Sequence, residues 1–331
     1  DLLFDRIAIP DNWFWVDLGN YYGAGASALT IHDNLYRLYF RPGKRPGQAA
    51  QVLRTEPPIP GLKFNNHMRT GEPGSGDNGY IYRAPEEFTA ELRGTIPAGV
   101  SEFSIKGSIP DPALFTVQTF RKYLQQAGIA VTGRAKKLTT PQSYRQAALI
   151  HRTLSPQLKE IVYLLNKRSV NLYAEQLART LAVRAGKRGN LTNGIQQIMN
   201  FLKQHEIPCE GVRLEDACGL SRNNLITART IVRLLAAVRR ATYFDSYFRS
   251  LTVAGDAKDI GHMKNFGTGT ILAGNTYLKS GYIDGVRTLA GYLRNQNNEW
   301  VAFCLMANNF TVSYQKVDGI FKKMLIRLAR K

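Results

Sequence analysis

The spacing of apolar residues changes three times along this chain, and that limits the fold more than any single motif. Up to about residue 110 the sequence is rich in Gly, Pro and aromatics. Short strand-like runs such as "ALTIHDNLYRLYF" (Ala28–Phe40) and "VSEFSIKGSIP" (Val100–Pro110) alternate with turn clusters such as "GEPGSGDNG" (Gly71–Gly79). After Pro110 the period becomes helical. "DPALFTVQTFRKYLQQAG" puts Leu114, Val117, Phe120 and Leu124 on one face, with Asp111 as cap, Pro112 in the first turn and Gly128 as stop. Further helices follow, one starting at the Ser155-Pro156 pair, one ending at Gly186, and two in "GIQQIMNFLKQHE" and "ITARTIVRLLAAVRRA". From about Ile271 three strand runs appear, "TILAGNTYLKSG", "GVRTLAGYLRN" and "EWVAFCLMANNF", with a polar turn at Asn295–Asn298. The end is an amphipathic helix with Val317, Ile320, Phe321, Met324, Leu325 and Leu328 inward. This order predicts an α+β fold: a helical cluster plus an antiparallel sheet from residue 111 to 331, preceded by a β-rich accessory domain over 1–110.

The 331 residues, 44% apolar and 21% charged, suffice for one large or two ordinary domains with full cores. No run approaches the length of a membrane span. The net charge of +19, from 44 Lys+Arg against 25 Asp+Glu, calls for an anionic partner: nucleic acid, anionic lipid or an acidic wall polymer. The basic residues are dispersed pairs, such as Lys136-Lys137 and Lys322-Lys323, and no nucleic-acid motif accompanies them. Cys209, Cys218 and Cys304 fit no metal spacing, and the five histidines lack metal-binding partners, so no metal or cofactor is expected. Cys304 reads as a buried small hydrophobe, while Cys209 and Cys218 could pair in an exported chain of suitable geometry. The first residue is Asp1, and "DLLFDRIAIP" looks like a strand interior, so the natural protein is expected to begin earlier.

Two short constellations carry chemistry. Lys279-Ser280-Gly281 lies on a predicted strand, with Lys279 and Gly281 on one face and Ser280 on the other. A lysine there offers a fixed cation to a carboxylate. The small Gly281 lets a substrate backbone pair with the strand edge, and the Tyr282 amide can point at an oxyanion. Ser169-Val170-Asn171 lies between two predicted helices. Its hydroxyl can relay a proton, and its amide can hold a carbonyl or a catalytic lysine. Each alone has a plainer reading, a solvated strand end and a helix cap. Together, in this order and about a hundred residues apart, they match a motif pair of penicillin-interacting serine enzymes. Between them, "LEDACGLSRNNLITA" (Leu214–Ala228) looks like a rigid Gly-containing turn before a helix.

With these strings together the chain resembles a family, the class C, type-4 penicillin-binding proteins, which are D-alanyl-D-alanine carboxypeptidase/endopeptidases. "SVNLYAE" resembles its S-D-N-L-x-A-E, and "EDACGLSRNN" its D-G-S-G-L-S-R-x-N. "LKSGYIDGVRTLAGY" resembles K-T-G-x-x-x-G-V-x-x-L-A-G-Y, and "WFWVDLGNYYGAGASAL" the W-x-W-x-D segment of its inserted domain. The matches run from residue 13 to beyond 290. Val170 stands for the usual Asp, Ser280 for Thr, and Ala217 and Cys218 for Gly and Ser.

The resemblance implies a penicillin-binding, serine transpeptidase-like domain. Its substrate is the peptidoglycan stem peptide, and β-lactams acylate it. It uses no cofactor, and the enzyme is exported to the periplasm or cell exterior. Ser169, Asn171 and Lys279 would be catalytic. Ser280, Gly281 and Tyr282 would bind the substrate, with Asp17 taking the free amine of the stem's diamino acid and Tyr22 packing on the stem. The family's nucleophile lies in a Ser-x-x-Lys motif one helical turn long. Here only Ser313-Tyr314-Gln315-Lys316 has that spacing, after the Lys-Ser-Gly strand, so the motif is expected upstream of Asp1 and this chain alone to be inactive. The competing readings are a catalytically silent peptidoglycan-binding protein and, last, a basic nucleic-acid binder.

Overall fold

The computed structural model describes residues 2–138, 140 and 147–331. They form two compact units. The first takes residues 1–148, 175–194 and 216–222, and the second takes 149–174, 195–215 and 223–331. The helix after the expected boundary at residue 110 groups with the first unit.

In the first unit a short helix α1 (Trp15–Leu18) precedes seven strands. β1 (Leu35–Arg41) pairs antiparallel with β2 (Gln51–Glu56) on one side. β3 (Lys63–Asn66), β4 (Arg69–Gly71) and β5 (Asn78–Tyr82) all pair with β6 (Thr89–Pro97), the first two in parallel and β5 antiparallel. β7 (Phe103–Ser108) closes the β1 sheet on its other side. Strand alternation fixes the faces: Tyr36, Leu38 and Phe40 of β1 are wholly buried, while Arg37 and Arg41 point out. They join Ile81, Leu92, Ile96 and Ile105 in one core. Burying each such side chain stabilises by about 1.5–3 kcal/mol. The run at Ala28–Phe40 is strand only from Leu35, because His32, Asp33 and Asn34 adopt positive φ. Among its described residues, "DLLFDRIAIP" forms no strand beyond one bridge, Phe4 to Gly189.

α2 (Pro112–Gln126) starts as the cap residues predict, with the Asp111 carboxylate accepting from the Leu114 N–H at 2.9 Å. Its buried residues are Ala113 and Phe115, whereas Phe120, expected inward, is 60% exposed. Only its first turn reaches the core.

The second unit begins with α3 (Leu158–Arg168). It starts two residues after the expected Ser-Pro cap. Gln157 and Glu160 form a capping box, and the Ser155 hydroxyl instead bonds the Pro156 carbonyl. α4 (Asn171–Arg184) and α5 (Leu191–Gln204) contribute residues to both units. α6 (Ala228–Val238) and α7 (Phe244–Ser250) follow. An antiparallel sheet comes next, in spatial order β11-β10-β9-β8, built from β8 (Thr252–Val253), β9 (Thr276–Ile283), β10 (Val286–Arg294) and β11 (Trp300–Asn308). The first run starts at Thr276 rather than Ile271, since Gly267, Gly269 and Gly274 take positive φ and keep the preceding segment in turns.

The sheet is buried on both faces. Leu278, Leu289, Leu293 and Phe303 pack against Val317, Phe321, Leu325 and Ala329 of α8 (Tyr314–Ala329). On the other face Tyr292 and Tyr277 meet Leu235 of α6 and Phe248 of α7. The inward stripe of α8 steps by four residues, so Ile320 and Met324, expected inward, lie off it and are 57% and 48% exposed. Cys304 is half-buried, and all three cysteines are free thiols.

One glycine ties the first core together. A Cβ at Gly107 would lie 2.4 Å from Cζ of Tyr36. Gly107→Ala is therefore expected to cost about 1–3 kcal/mol, read as a lowered urea midpoint of the first unit. An unchanged midpoint would mean that the Tyr36 ring can move aside.

Candidate active site

α3 ends on Ser169, whose φ of 53° and ψ of 52° place it in the left-handed region. Serine rarely adopts that conformation, at a cost of roughly 1 kcal/mol. The turn reverses the chain and leaves Ser169 exposed, and Asn171 then opens α4. Lys279, on β9, donates from Nζ to the Ser169 Oγ at 2.8 Å and to the Ser280 carbonyl at 2.6 Å. The two sequence constellations, 110 residues apart, thus meet within one unit.

Burial pushes the Lys279 ammonium down to about 8, and the nearby Arg287 guanidinium adds to the effect. Arg287 is held by Asp318 through two bonds of 2.7 and 2.8 Å. Near pH 8 Lys279 is therefore present in both forms. The ammonium can donate to an anion, and the free amine can take the Ser169 proton.

Gly281 has a structural reason. A Cβ there would fall 2.5 Å from the Thr288 hydroxyl on β10, directly opposite in register. β8 pairs only with Tyr277 and Leu278. Among the described residues, the β9 edge from Lys279 to Ile283 therefore has no strand partner on that side. Ser280 is half-buried, and the exposed Tyr282 ring packs on Tyr314 at 5.2 Å. Ser313 occupies the cap position of α8, with its carbonyl accepting from the Lys316 N–H. The exposed Asp284 lies in the β9–β10 turn.

Asp17 and Tyr22 belong to the first unit. Asp17 sits on α1 and is buried, with Oδ2 3.0 Å from Nη1 of Arg222. The Arg222 guanidinium lies 3.8 Å over the Phe14 ring. Burial and then the Asp17 charge push the Tyr22 phenol well above its ordinary range.

The stretch between the motifs, which in sequence looks like no more than a rigid turn, is a hydrogen-bond knot. Asp216 accepts from the Gly219 and Ser221 amides and from the Trp13 indole at 2.9 Å. Glu175, fully buried, accepts from the Ala217 and Cys218 amides at 2.7 and 3.1 Å and pairs with Arg179 at 2.8 Å. Glu175, Asp216 and Cys218 approach within metal-binding distance of one another. Their carboxylates are already saturated by N–H donors, and burial holds the Cys218 thiol protonated. Glu175 closes the "SVNLYAE" motif, and that position is its only signal in the sequence.

The whole chain, residues 1–331, matches the D-Ala-D-Ala carboxypeptidase 3 (S13) family model. A D-alanyl-D-alanine carboxypeptidase of Actinomadura sp. is 27% identical over 317 residues, covering 93% of this chain and 58% of the relative. The D-alanyl-D-alanine carboxypeptidase DacB of Haemophilus influenzae is 23% identical over 305 residues, covering 90% and 62%. The chain thus spans about three-fifths of the length of these relatives. The crystal structure of penicillin binding protein 4 from Haemophilus influenzae superposes with a TM-score of 0.84 at 21% identity, over all of this chain and 74% of that one. A structure of the same protein complexed with a β-lactam gives 0.75 at 19% identity, over 92% and 70%. At these identities the likeness speaks to the α+β fold.

Lys279 is expected to titrate near 8 in a ¹³C-lysine NMR experiment, against an ordinary 10.5. Between those values the folded chain binds fewer protons than the unfolded one, so this group's contribution to stability rises with pH through that window. Arg287→Gln is expected to move the midpoint up by less than burial depresses it. A midpoint that stays at 10.5 in the unaltered chain would remove the case for a neutral Lys279.

Proposed function

The chain belongs to the D-Ala-D-Ala carboxypeptidase 3 (S13) family, and from that premise we propose that it supplies two walls of a serine acyl-transfer site acting on D-Ala-D-Ala peptides of peptidoglycan. The observation that carries the reading is the 2.8 Å bond between Lys279 Nζ and Ser169 Oγ. A hydroxyl bonded to an amine that is neutral part of the time is a proton conduit.

In this reading a serine from a Ser-x-x-Lys segment outside these 331 residues attacks the carbonyl of the penultimate D-Ala. Its lysine partner takes the serine proton. The tetrahedral intermediate collapses as Ser169 passes a proton to the leaving amine and is reprotonated through Lys279. The C–N bond breaks, and terminal D-Ala departs. Water then adds to the acyl-enzyme ester and releases the shortened peptide and the serine. The extended substrate lies along the open β9 edge. Lys279 and Ser280 hold its terminal carboxylate, Gly281 allows close approach, and the Tyr282 amide helps hold the oxyanion. Asn171 orients the substrate amide. Asp17 receives the amine of the stem's diamino acid, for which Arg222 is the resident competitor, and Tyr22 packs beside it.

β-Lactams acylate the same serine, and opening of the four-membered ring takes the place of amine departure. The substrate polymer fits an exported protein. The charge of +19 favours approach to an acidic wall, where nucleic acid has no reader motif in this chain. A silent peptidoglycan binder is the second reading, favoured by the lack of a Ser-x-x-Lys other than Ser313–Lys316.

Intact-mass analysis after penicillin exposure separates the two. The 331-residue chain is expected to take no adduct. A polypeptide that also carries the Ser-x-x-Lys segment is expected to gain one, and Ser169→Ala should slow that acylation by roughly a hundredfold or more. An adduct on the 331-residue chain would overturn the external nucleophile, and no adduct on either would favour the silent binder.

A further inference from the structure

The turn that presents Ser169 is strained, exposed and one residue from the end of a helix, so something must hold it. Four bonds between three residues of α3 and one neighbouring segment, Ser250–His262, do so. Asn166 donates from Nδ2 to the Ser250 hydroxyl at 2.7 Å. His262 Nε2 lies 3.0 Å from the Arg168 carbonyl. Between them Lys167, in the last turn of α3, sends its ammonium inward to the Leu251 carbonyl at 2.6 Å and to the Asp259 carboxylate. Both side chains are almost wholly removed from solvent, at 4% and 3% exposure.

Asp259 is the other half of the device. Its Oδ2 also accepts from the Val253 N–H at 3.1 Å, and its Oδ1 from the Gly261 N–H at 2.6 Å. Val253 belongs to β8, which pairs with β9 in the register Val253–Tyr277 and Thr252–Leu278. Lys279 is the next residue of β9. A path of directional bonds therefore runs from the Ser169 turn through Lys167, Asp259 and β8 to Tyr277 and Leu278, the two residues that precede Lys279 on β9.

We propose that Lys167 and Asp259 are positioning residues: their buried ion pair locks the Ser169 turn against the strand that bears Lys279 and so sets the Ser169–Lys279 contact. An ion pair this deep adds little net stability, because desolvating two charges offsets their attraction. Two apolar side chains of the same volume would pack as well. They would not fix an angle or a distance, and a proton relay needs both. Burial alone would raise the Asp259 carboxyl, but the hydrogen bonds from Lys167, Val253 and Gly261 and the Lys167 charge hold it below its ordinary range. It stays ionised and keeps accepting at any pH where the relay could run.

The positioning role rests on the proposed reaction for its purpose, but its test does not. In the 331-residue chain, Lys279 is followed by ¹³C-lysine NMR in Lys167→Met, Asp259→Asn and Lys167→Arg. Once the turn is released, water reaches the ammonium. The midpoint is expected to rise from about 8 towards 10.5, by roughly one unit or more, in Lys167→Met and Asp259→Asn. Lys167→Arg, which keeps the charge, should recover part of the shift. Phe321→Leu, a core change under the opposite face of the sheet, should lower stability and leave the midpoint in place. In a polypeptide carrying the Ser-x-x-Lys segment, penicillin acylation should fall by roughly a hundredfold in Lys167→Met. If that polypeptide is never acylated, the reaction fails while the titration still decides the positioning role. Folded variants with an unmoved Lys279 midpoint would overturn the proposal. So would unfolding of all three, which would make the pair a fold element only.

Discussion

Which face of β9 carries Lys279 decides everything at the candidate site. The strand is covered on both sides, so its register cannot drift without cost. Leu278 is fully buried beneath α8 with Leu289 and Phe321, and Tyr277 packs with Phe248 on the other side. A slip of one residue would drive the Lys279 ammonium into the α8 core and turn Leu278 away from it. Burying an unpaired ammonium there would cost several kcal/mol. The hydrophobic register of its neighbours thus fixes the direction of the Lys279 amine. The same logic puts Tyr282 on the α8 side, where its ring meets Tyr314.

That dependence sets how much of the fold is legible in the sequence. Strict alternation in β1 and the three apolar runs of the meander announce their elements, because a strand is the conformation that sends every second side chain to one surface. Asp111 announces its helix because the cap is local. Where two local signals compete for a boundary, sequence alone misplaces it. Ser155-Pro156 looks like the better cap, but Gln157 with Glu160 satisfies two donors at once and moves the start to Leu158. Phe120, Ile320 and Met324 fit the periodic faces yet stand exposed, since periodicity says which side of a helix is apolar and not how much of it a neighbour covers.

The pairing of buried charges leaves no trace in the sequence. Lys167 sits two residues from a motif serine and resembles any solvated lysine at a helix end. Its partner Asp259 is 92 residues away, in a stretch with no motif at all. The Trp13–Asp216 and Arg222–Asp17 contacts join residues more than 200 positions apart. Such pairs follow from chain topology alone. Ser169 and Lys279 are legible only because each belongs to a short string whose chemistry is recognisable before folding brings the strings together.

The departures from the family pattern follow a rule about which atoms work. Ala217 and Cys218 are both engaged through their amides, donated to Glu175, and the Cys218 thiol adds a contact to the Asp216 carboxylate at 3.7 Å. Val170 likewise acts through its N–H, which bonds the Leu165 carbonyl. Ser280 lends its carbonyl to Lys279 and keeps the hydroxyl that threonine would supply. By contrast, Glu175 and Asp216 accept several bonds through side-chain oxygens, Gly219 sits at a φ of 88°, and Gly281 has no room for a Cβ. None of these four departs from the pattern. At the substituted positions the backbone makes most of the contacts, whereas the four kept positions act through a carboxylate, a left-handed glycine or an absent Cβ.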